Sequence, residues 1–344
     1  MNGTRHGGLR VVLGAALAVL AGCKPAAHIE QLGGSTMGTS YHVELAIPDG
    51  TPFARERLEA EVAAILAQLD RELSTWRPDS DLSRFNAART TAWFPVAADV
   101  AIVVAEAQRI SALTGGAFDV TVGPLVNAWG FGPVKKPGAV PSAAEIEAAK
   151  RAIGFRKLHV RLAPPALRKD DPAMFVDVDA IGPGLAIDRI AALLAREGHS
   201  DYLVELGGEV LSRGRKPDGG RWKIGIDDPL AKPRALIAAA EIDGEALSTA
   251  GDYRAYFDAD GHRYSHILDP RTGRPITHAL TSVSVVAPTA LSANGWDTAL
   301  MVMGPEDALA LAKAQGLAAL FVIRTPRGLR TETTPGFRAV AVDP

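Results

Sequence analysis

The feature that most narrows the fold is a run of short strand-like segments in the second half of the chain. Residues 223–226, 236–242, 253–257, 264–267 and 282–287 all pattern as strands, and clusters of Asp, Gly and Pro separate them. Such punctuation belongs to antiparallel sheet, where a tight turn returns the chain; a parallel doubly wound sheet needs a helical crossover at each step. Helical patterns group elsewhere. Leu58, Val62, Ile65, Leu66, Leu69 and Leu73 recur at three- and four-residue spacing, and residues 96–113 form a second helix that stops at Gly115-Gly116. Residues 184–197 turn Ile187, Ile190, Leu193 and Leu194 to one side. Further helices are expected over 143–153, 290–303 and 306–315, and further strands over 37–47, 175–178, 202–206, 318–323 and 337–342, with a Pro-, Gly- and Lys-rich loop at 133–141. Grouped helices and runs of strands make an α+β fold of antiparallel sheets with helices packed on one side. With 47% hydrophobic and 22% charged residues the chain buries a sizeable core, and its net charge of −2 gives no bulk argument for nucleic-acid binding.

The N-terminus reads as a targeting segment. Arg5 and Arg10 precede an apolar run over 11–20, too short to span a bilayer but suited to the core of a secretory signal. It ends in Leu20-Ala21-Gly22-Cys23, similar to the bacterial lipobox, in which the cysteine becomes the lipidated N-terminus. Cys23 is the single cysteine, so an exported domain has no disulfide and relies on its core. We therefore expect a lipoprotein signal peptide at 1–22, a lipid-anchor linker at 23–32 and a folded domain over 33–344.

Several segments are too polar and glycine-rich to be read only as connections. Small residues in Gly115-Gly116-Ala117-Phe118-Asp119, and again in Asn127-Ala128-Trp129-Gly130-Phe131-Gly132, let backbone approach a ligand closely, or else simply turn the chain. Asp177-Val178-Asp179-Ala180-Ile181-Gly182-Pro183-Gly184 precedes a helix whose first N–H groups suit an anion such as a pyrophosphate; alternatively Asp177 or Asp179 caps the turn. Glu205-Leu206-Gly207-Gly208-Glu209 and Ser248-Thr249-Ala250-Gly251 read as strand-end glycine turns. His266 and Ile267 run into a turn fixed by Asp269-Pro270 and Thr272-Gly273; a histidine there shuttles a proton or stabilises the turn. Asn294 and Thr298, four residues apart, share a helix face, where their oxygens converge on a hard cation or cap the helix.

In their order along the chain, Met37-Gly38-Thr39, Ser74-Thr75-Trp76 through Ser83-Arg84-Phe85-Asn86, the runs 115–132 and 177–188, Glu205-Leu206-Gly207-Gly208, and the segments 265–273 and 293–304 resemble the ApbE family of FAD:protein FMN transferases. The resemblance covers residues 33–324. It implies a T-fold-like architecture of two lobes around an FAD site. It also implies Mg²⁺-dependent cleavage of the FAD pyrophosphate, with FMN attached through a phosphoester to a threonine of another protein and AMP released. Met37, Trp76, Ala117, Phe118, Asp119, Asp177, Pro183, His266 and Ile267 match positions bordering FAD, Trp76 standing where the family often has tyrosine. The Ala180 carbonyl, Asn294 and Thr298 match the metal ligands, and His266, Asn294 and Thr298 the groups serving the reaction. Implied partners are a membrane reached through the lipid anchor, on the periplasmic side of the bacterial envelope, and a threonine-bearing acceptor. Acceptors in the family are subunits of sodium-pumping quinone reductases, Rnf-type complexes and the regulator of nitrous-oxide reduction. Two positions depart from the family's pattern: Pro183 stands where lysine is usual, and Asn294 where aspartate is, with Asp297 nearby to compensate. The same site, with water attacking, would hydrolyse FAD to FMN and AMP, and without chemistry would only bind flavin.

Overall fold

A computed structural model describes residues 26–132, 140–231, 233 and 235–340. The expected signal peptide, Cys23 and most of the loop at 133–141 lie outside those residues. Eight strands form one sheet in the order Ala27–Thr36, Thr39–Pro48, Tyr202–Leu206, Glu209–Arg213, Glu245–Gly251, Leu280–Ala287, Ala318–Thr325 and Gly328–Thr333. Every neighbouring pair is antiparallel, as the turn-punctuated sequence requires.

One face of the sheet is dry against helices. Thr39–Pro48 shows why: Tyr41, Val43, Leu45 and Ile47 alternate inward. They meet the apolar sides of helices Arg55–Leu73, Ala98–Leu113, Gly182–Arg196 and Ala290–Met303 in one continuous core. The opposite face carries Val210, Leu247, Val286 and Val322 against Ile224, Ile226 and Ile242 of a three-stranded sheet, Trp222–Asp227, Leu236–Ile242 and Ala339–Val340. Leu280–Ala287 is consequently covered on both faces: all eight residues are buried, and those that are not apolar are the small Thr281, Ser282 and Ser284. A smaller cluster of Leu125, Trp129, Ile146, Ile153 and Leu268 forms a second lobe.

Three expectations need correction. The segment expected as a linker is structured from Ala27, because Ala27–Thr36 pairs residue for residue with Thr39–Pro48; only Leu32 of this edge strand is buried, so its sequence carries little alternation. Met37 lies outside the strand it was expected to open. With Gly38 it makes the two-residue hairpin turn, at φ 47° and 75°, a left-handed pair that such a turn demands and that methionine seldom adopts. Residues 175–178 are extended but join no sheet: Val176 exchanges hydrogen bonds with the Asn86 side chain, and the Asp177 N–H donates to the Val120 carbonyl.

Candidate active site

The helix Ala290–Met303 delivers Asn294 and Thr298, and its neighbour Gly182–Arg196 sets its position. A side chain at 184 would put Cβ 2.3 Å from the Ala290 carbonyl oxygen, so glycine is what lets the two backbones meet. Gly184 N–H donates to Asn294 Oδ1 at 3.3 Å. One turn on, the Asp188 carboxylate accepts from the N–H groups of Ala290 and Leu291 at 2.8 and 3.0 Å, and Thr289 is the N-cap, accepting from Ser292 N–H. Asn294 therefore does not cap this helix and sits inside it. Its Nδ2 donates to Ser248 Oγ at 3.4 Å, and Ser248 donates to Asp297 Oδ2 at 2.6 Å. Thr298 donates to Asp297 Oδ1 at 3.1 Å. Asp297 is fully buried, and burial holds its carboxyl well above the usual range against the opposing Ser248 bond. Both its oxygens are engaged, so it braces Ser248 and Thr298.

Asn294, Asp297 and Thr298 line a cleft of about 410 Å³, a size typical of small-molecule sites. Ala117, Phe118, Asp119, Asp177, Ala180, His266 and Ile267 line it as well, so nine of the residues singled out in the sequence converge there. Asp119 lines it with its carboxylate committed to the fold, accepting from Thr121 N–H, Thr121 Oγ1 and Phe155 N–H. Asp177 Oδ1 accepts from Asp179 N–H at 3.0 Å, the turn-capping role left open by the sequence, while still facing the cleft.

His266 enters from the other lobe. It follows the strand His262–Ser265, and its turn is held by Asp269, which accepts from Arg271 N–H and the Arg271 guanidinium, and by Trp129 Nε1–H on the Gly273 carbonyl. Its Nδ1 lies 2.9 Å from the Ala255 carbonyl oxygen. A carbonyl only accepts, so Nδ1 carries the proton and Nε2 keeps a lone pair. Burial lowers its pKa from 6.5, against the Ala255 bond, and keeps the ring neutral at neutral pH.

The remaining three residues line a neighbouring hollow of about 810 Å³: Met37, Trp76 and Pro183, with Asp179 common to both spaces. Trp76 is 55% exposed, an open ring for stacking, and its Nε1–H reaches Asp179 Oδ2 at 3.4 Å.

The electrostatics are lopsided. Asp119, Asp177, Asp179, Glu209 and Asp297 line the cleft, and Arg254 is the one Arg or Lys among its described lining residues. Burial, with Asp179 adding to it, pushes Asp177 up to about 7, and burial pushes Glu209 up to about 6. A pyrophosphate entering this space meets too little positive charge unless a cation comes with it. The donors present are oxygens, from the Ala180 carbonyl, Asn294, Thr298 and the carboxylates, which suits a hard divalent cation. Among the described residues no group of three or more His, Cys, Asp or Glu could hold a metal unaided. The residues thus fit a cation held jointly by protein and phosphate.

Sequence reasoning passed over Ser248, Glu209, Asp188 and Arg254 as site components. The first two lay in segments read as glycine turns, and their signal was a polar residue kept next to a turn at a strand end. Asp188 and Arg254 gave no local signal; their partners are distant in sequence.

A model of the ApbE family matches residues 37–321. The FAD:protein FMN transferase of Klebsiella pneumoniae (strain 342) is 44% identical over 342 residues, 97% of each chain, and that of Escherichia coli (strain K12) 41% over 343 residues, again 97% of each. Among solved structures, the flavin transferase ApbE from Vibrio cholerae superposes with a TM-score of 0.84 at 38% identity, covering 90% of this chain and 98% of that one. The apo form of the Pseudomonas stutzeri flavinyl transferase ApbE gives 0.83 at 44%, with 90% and 96% covered.

Proposed function

The chain belongs to the ApbE family, and from that premise we propose its reaction: it splits the pyrophosphate of FAD and passes the FMN half to a threonine hydroxyl of another protein. It is an FAD:protein FMN transferase. The observation that carries the reading is one cleft lined both by a histidine whose Nδ1 is engaged by the Ala255 carbonyl, leaving Nε2 as the basic nitrogen, and by the oxygen donors Asn294, Thr298 and Ala180.

The threonine oxygen attacks the FMN-side phosphorus, the bond from that phosphorus to the bridging oxygen breaks, and AMP leaves with the bridging oxygen. Nε2 of His266 accepts the threonine proton and later gives it to solvent. The Ala255 carbonyl fixes the ring for that role. Ala180, Asn294 and Thr298 are the residues that would hold Mg²⁺, which supplies charge neutralisation at the pyrophosphate. Asp177, Ala117 and Phe118 line the cleft and would border the nucleotide, and Met37 and Trp76 line the adjoining hollow, where they would offer surface to a flat ring.

The site is read on a lipid-anchored envelope protein. Cys23 is the acylated residue, and only three residues separate it from the strand that starts at Ala27, so the tether spans at most about 14 Å. A domain tethered that closely to a membrane suits acceptors that are themselves membrane-bound, such as subunits of quinone reductases, Rnf-type complexes or the nitrous-oxide-reduction regulator, on the periplasmic side. His266→Gln tests the chemistry. A folded variant that still binds FAD but releases neither AMP nor flavinylated acceptor supports the assignment, and wild-type turnover removes it.

A further inference from the structure

We propose that Lys169, together with Asn86, is a positioning residue that holds the two walls of the nucleotide cleft in register; the proposal rests on the transferase reading. Lys169 ends the strand Pro165–Lys169, lines neither hollow and is completely buried. Among the described residues no carboxylate comes within ion-pair distance of it. Its Nζ instead donates to three main-chain carbonyls, those of Phe85 and Asn86 at 3.0 Å and that of Met174 at 3.2 Å.

Those acceptors belong to two different parts of the site. Phe85 and Asn86 lie in the last turn of the helix Asp81–Ala87, whose carbonyl end favours a cation. At its start the helix is tied to the Trp76 segment, since Ser80 Oγ and Ser83 Oγ both donate to the Ser74 carbonyl, at 2.6 and 3.1 Å. Met174 opens the extended segment that leads to Asp177, Asp179 and Ala180. Asn86 completes the clasp: its Nδ2 donates to the Val176 carbonyl and its Oδ1 accepts from Val176 N–H, both at 2.8 Å. One lysine therefore joins the wall bearing Trp76 to the wall bearing Asp177 and Ala180, and Trp76 and Asp179 touch where the walls meet.

Packing alone does not account for a charged residue here. Burial pushes the Lys169 ammonium down to about 8, a cost that a methionine of similar length would not carry. The methionine would leave three carbonyls in a dry interior without their shared donor, and a segment that pairs with no strand would lose one of its few anchors.

The test uses the mature protein with Lys169→Met, Asn86→Ser, and Val322→Ala as a control that opens the buried core on the far face of the sheet. FAD affinity in the presence of Mg²⁺ is read by quenching of flavin fluorescence, and hydrogen exchange is followed at the amides of residues 176–179. We expect both clasp variants to bind FAD about tenfold more weakly, as the competent arrangement becomes a minor population, with faster exchange at those amides. The control should lose thermal stability and keep both readings. Wild-type affinity and exchange in the clasp variants, or equal loss in the control, overturns the proposal. If Lys169→Met does not fold, Asn86→Ser decides by the same two readings. Absence of AMP release from the wild type would defeat the transferase reading and leave this comparison intact.

Discussion

Gly184→Ala probes the contact that positions the helix bearing Asn294 and Thr298. An alanine Cβ would stand 2.3 Å from the Ala290 carbonyl oxygen, 2.5 Å from its carbon and 2.7 Å from Leu291 Cα, all backbone atoms that no rotamer change can move. Ordinary carbon contacts need about 3.5 Å, so helices Gly182–Arg196 and Ala290–Met303 must part by about 1 Å. Overpacking of this kind costs about 1–3 kcal/mol. Stretching the bond from Gly184 N–H to Asn294 adds about 0.5–1.5 kcal/mol, since that bond is already 3.3 Å long. Alanine's better helix propensity returns at most about 1 kcal/mol. The net loss of about 1–3 kcal/mol corresponds to a fall in Tm of about 1–4 °C for a chain of this length. Asn294 and Thr298 ride on the displaced helix, so half-saturating Mg²⁺ for AMP release should rise several-fold. Calorimetry and a Mg²⁺ titration check both numbers. A variant with the wild-type Tm and an unchanged Mg²⁺ requirement would show that the close backbone approach at Gly184 does not position Asn294 and Thr298.

Asn294→Asp returns a carboxylate to the cleft and should tighten Mg²⁺ binding without nucleotide; titration calorimetry showing no change would remove Asn294 from the metal site. Burial raises Glu209 from 4.5 to about 6, so the folded protein holds a proton that the unfolded chain has released. That contribution to stability is whole below about pH 4.5 and lost as pH rises through 6. Glu209→Gln should therefore gain Tm relative to the wild type across that interval, and a difference that stays flat with pH would contradict it. Cys23→Ser should release the protein from membranes, and a variant still membrane-bound at the mass of the mature wild type would rule out acylation at that residue.

Much of the fold was legible because its signals are local. Helix Ala290–Met303 and strand Leu236–Ile242 lie where periodicity and turn residues put them. The edge strand Ala27–Thr36 was not legible, since one buried residue in ten leaves no alternation to read. Residues 175–178 have strand-like composition, and only the tertiary partners Asn86 and Val120 decide that they pair with side chain and loop. The same division runs through the site. His266, Asn294 and Thr298 stand in motifs with recognisable spacing, whereas Ser248, Asp188 and Lys169 act through partners 49, 102 and 84 residues distant. No spacing rule reaches that far.

The most direct test of the central claim combines the mature protein, FAD, Mg²⁺ and a candidate acceptor domain, and reads intact acceptor mass and AMP together. The acceptor is expected to gain the mass of FMN less one water, with one AMP per modified chain, and replacing its target threonine by valine should abolish both the gain and the matching AMP. A gain equal to whole FAD, or flavin attached to the valine variant, would contradict it.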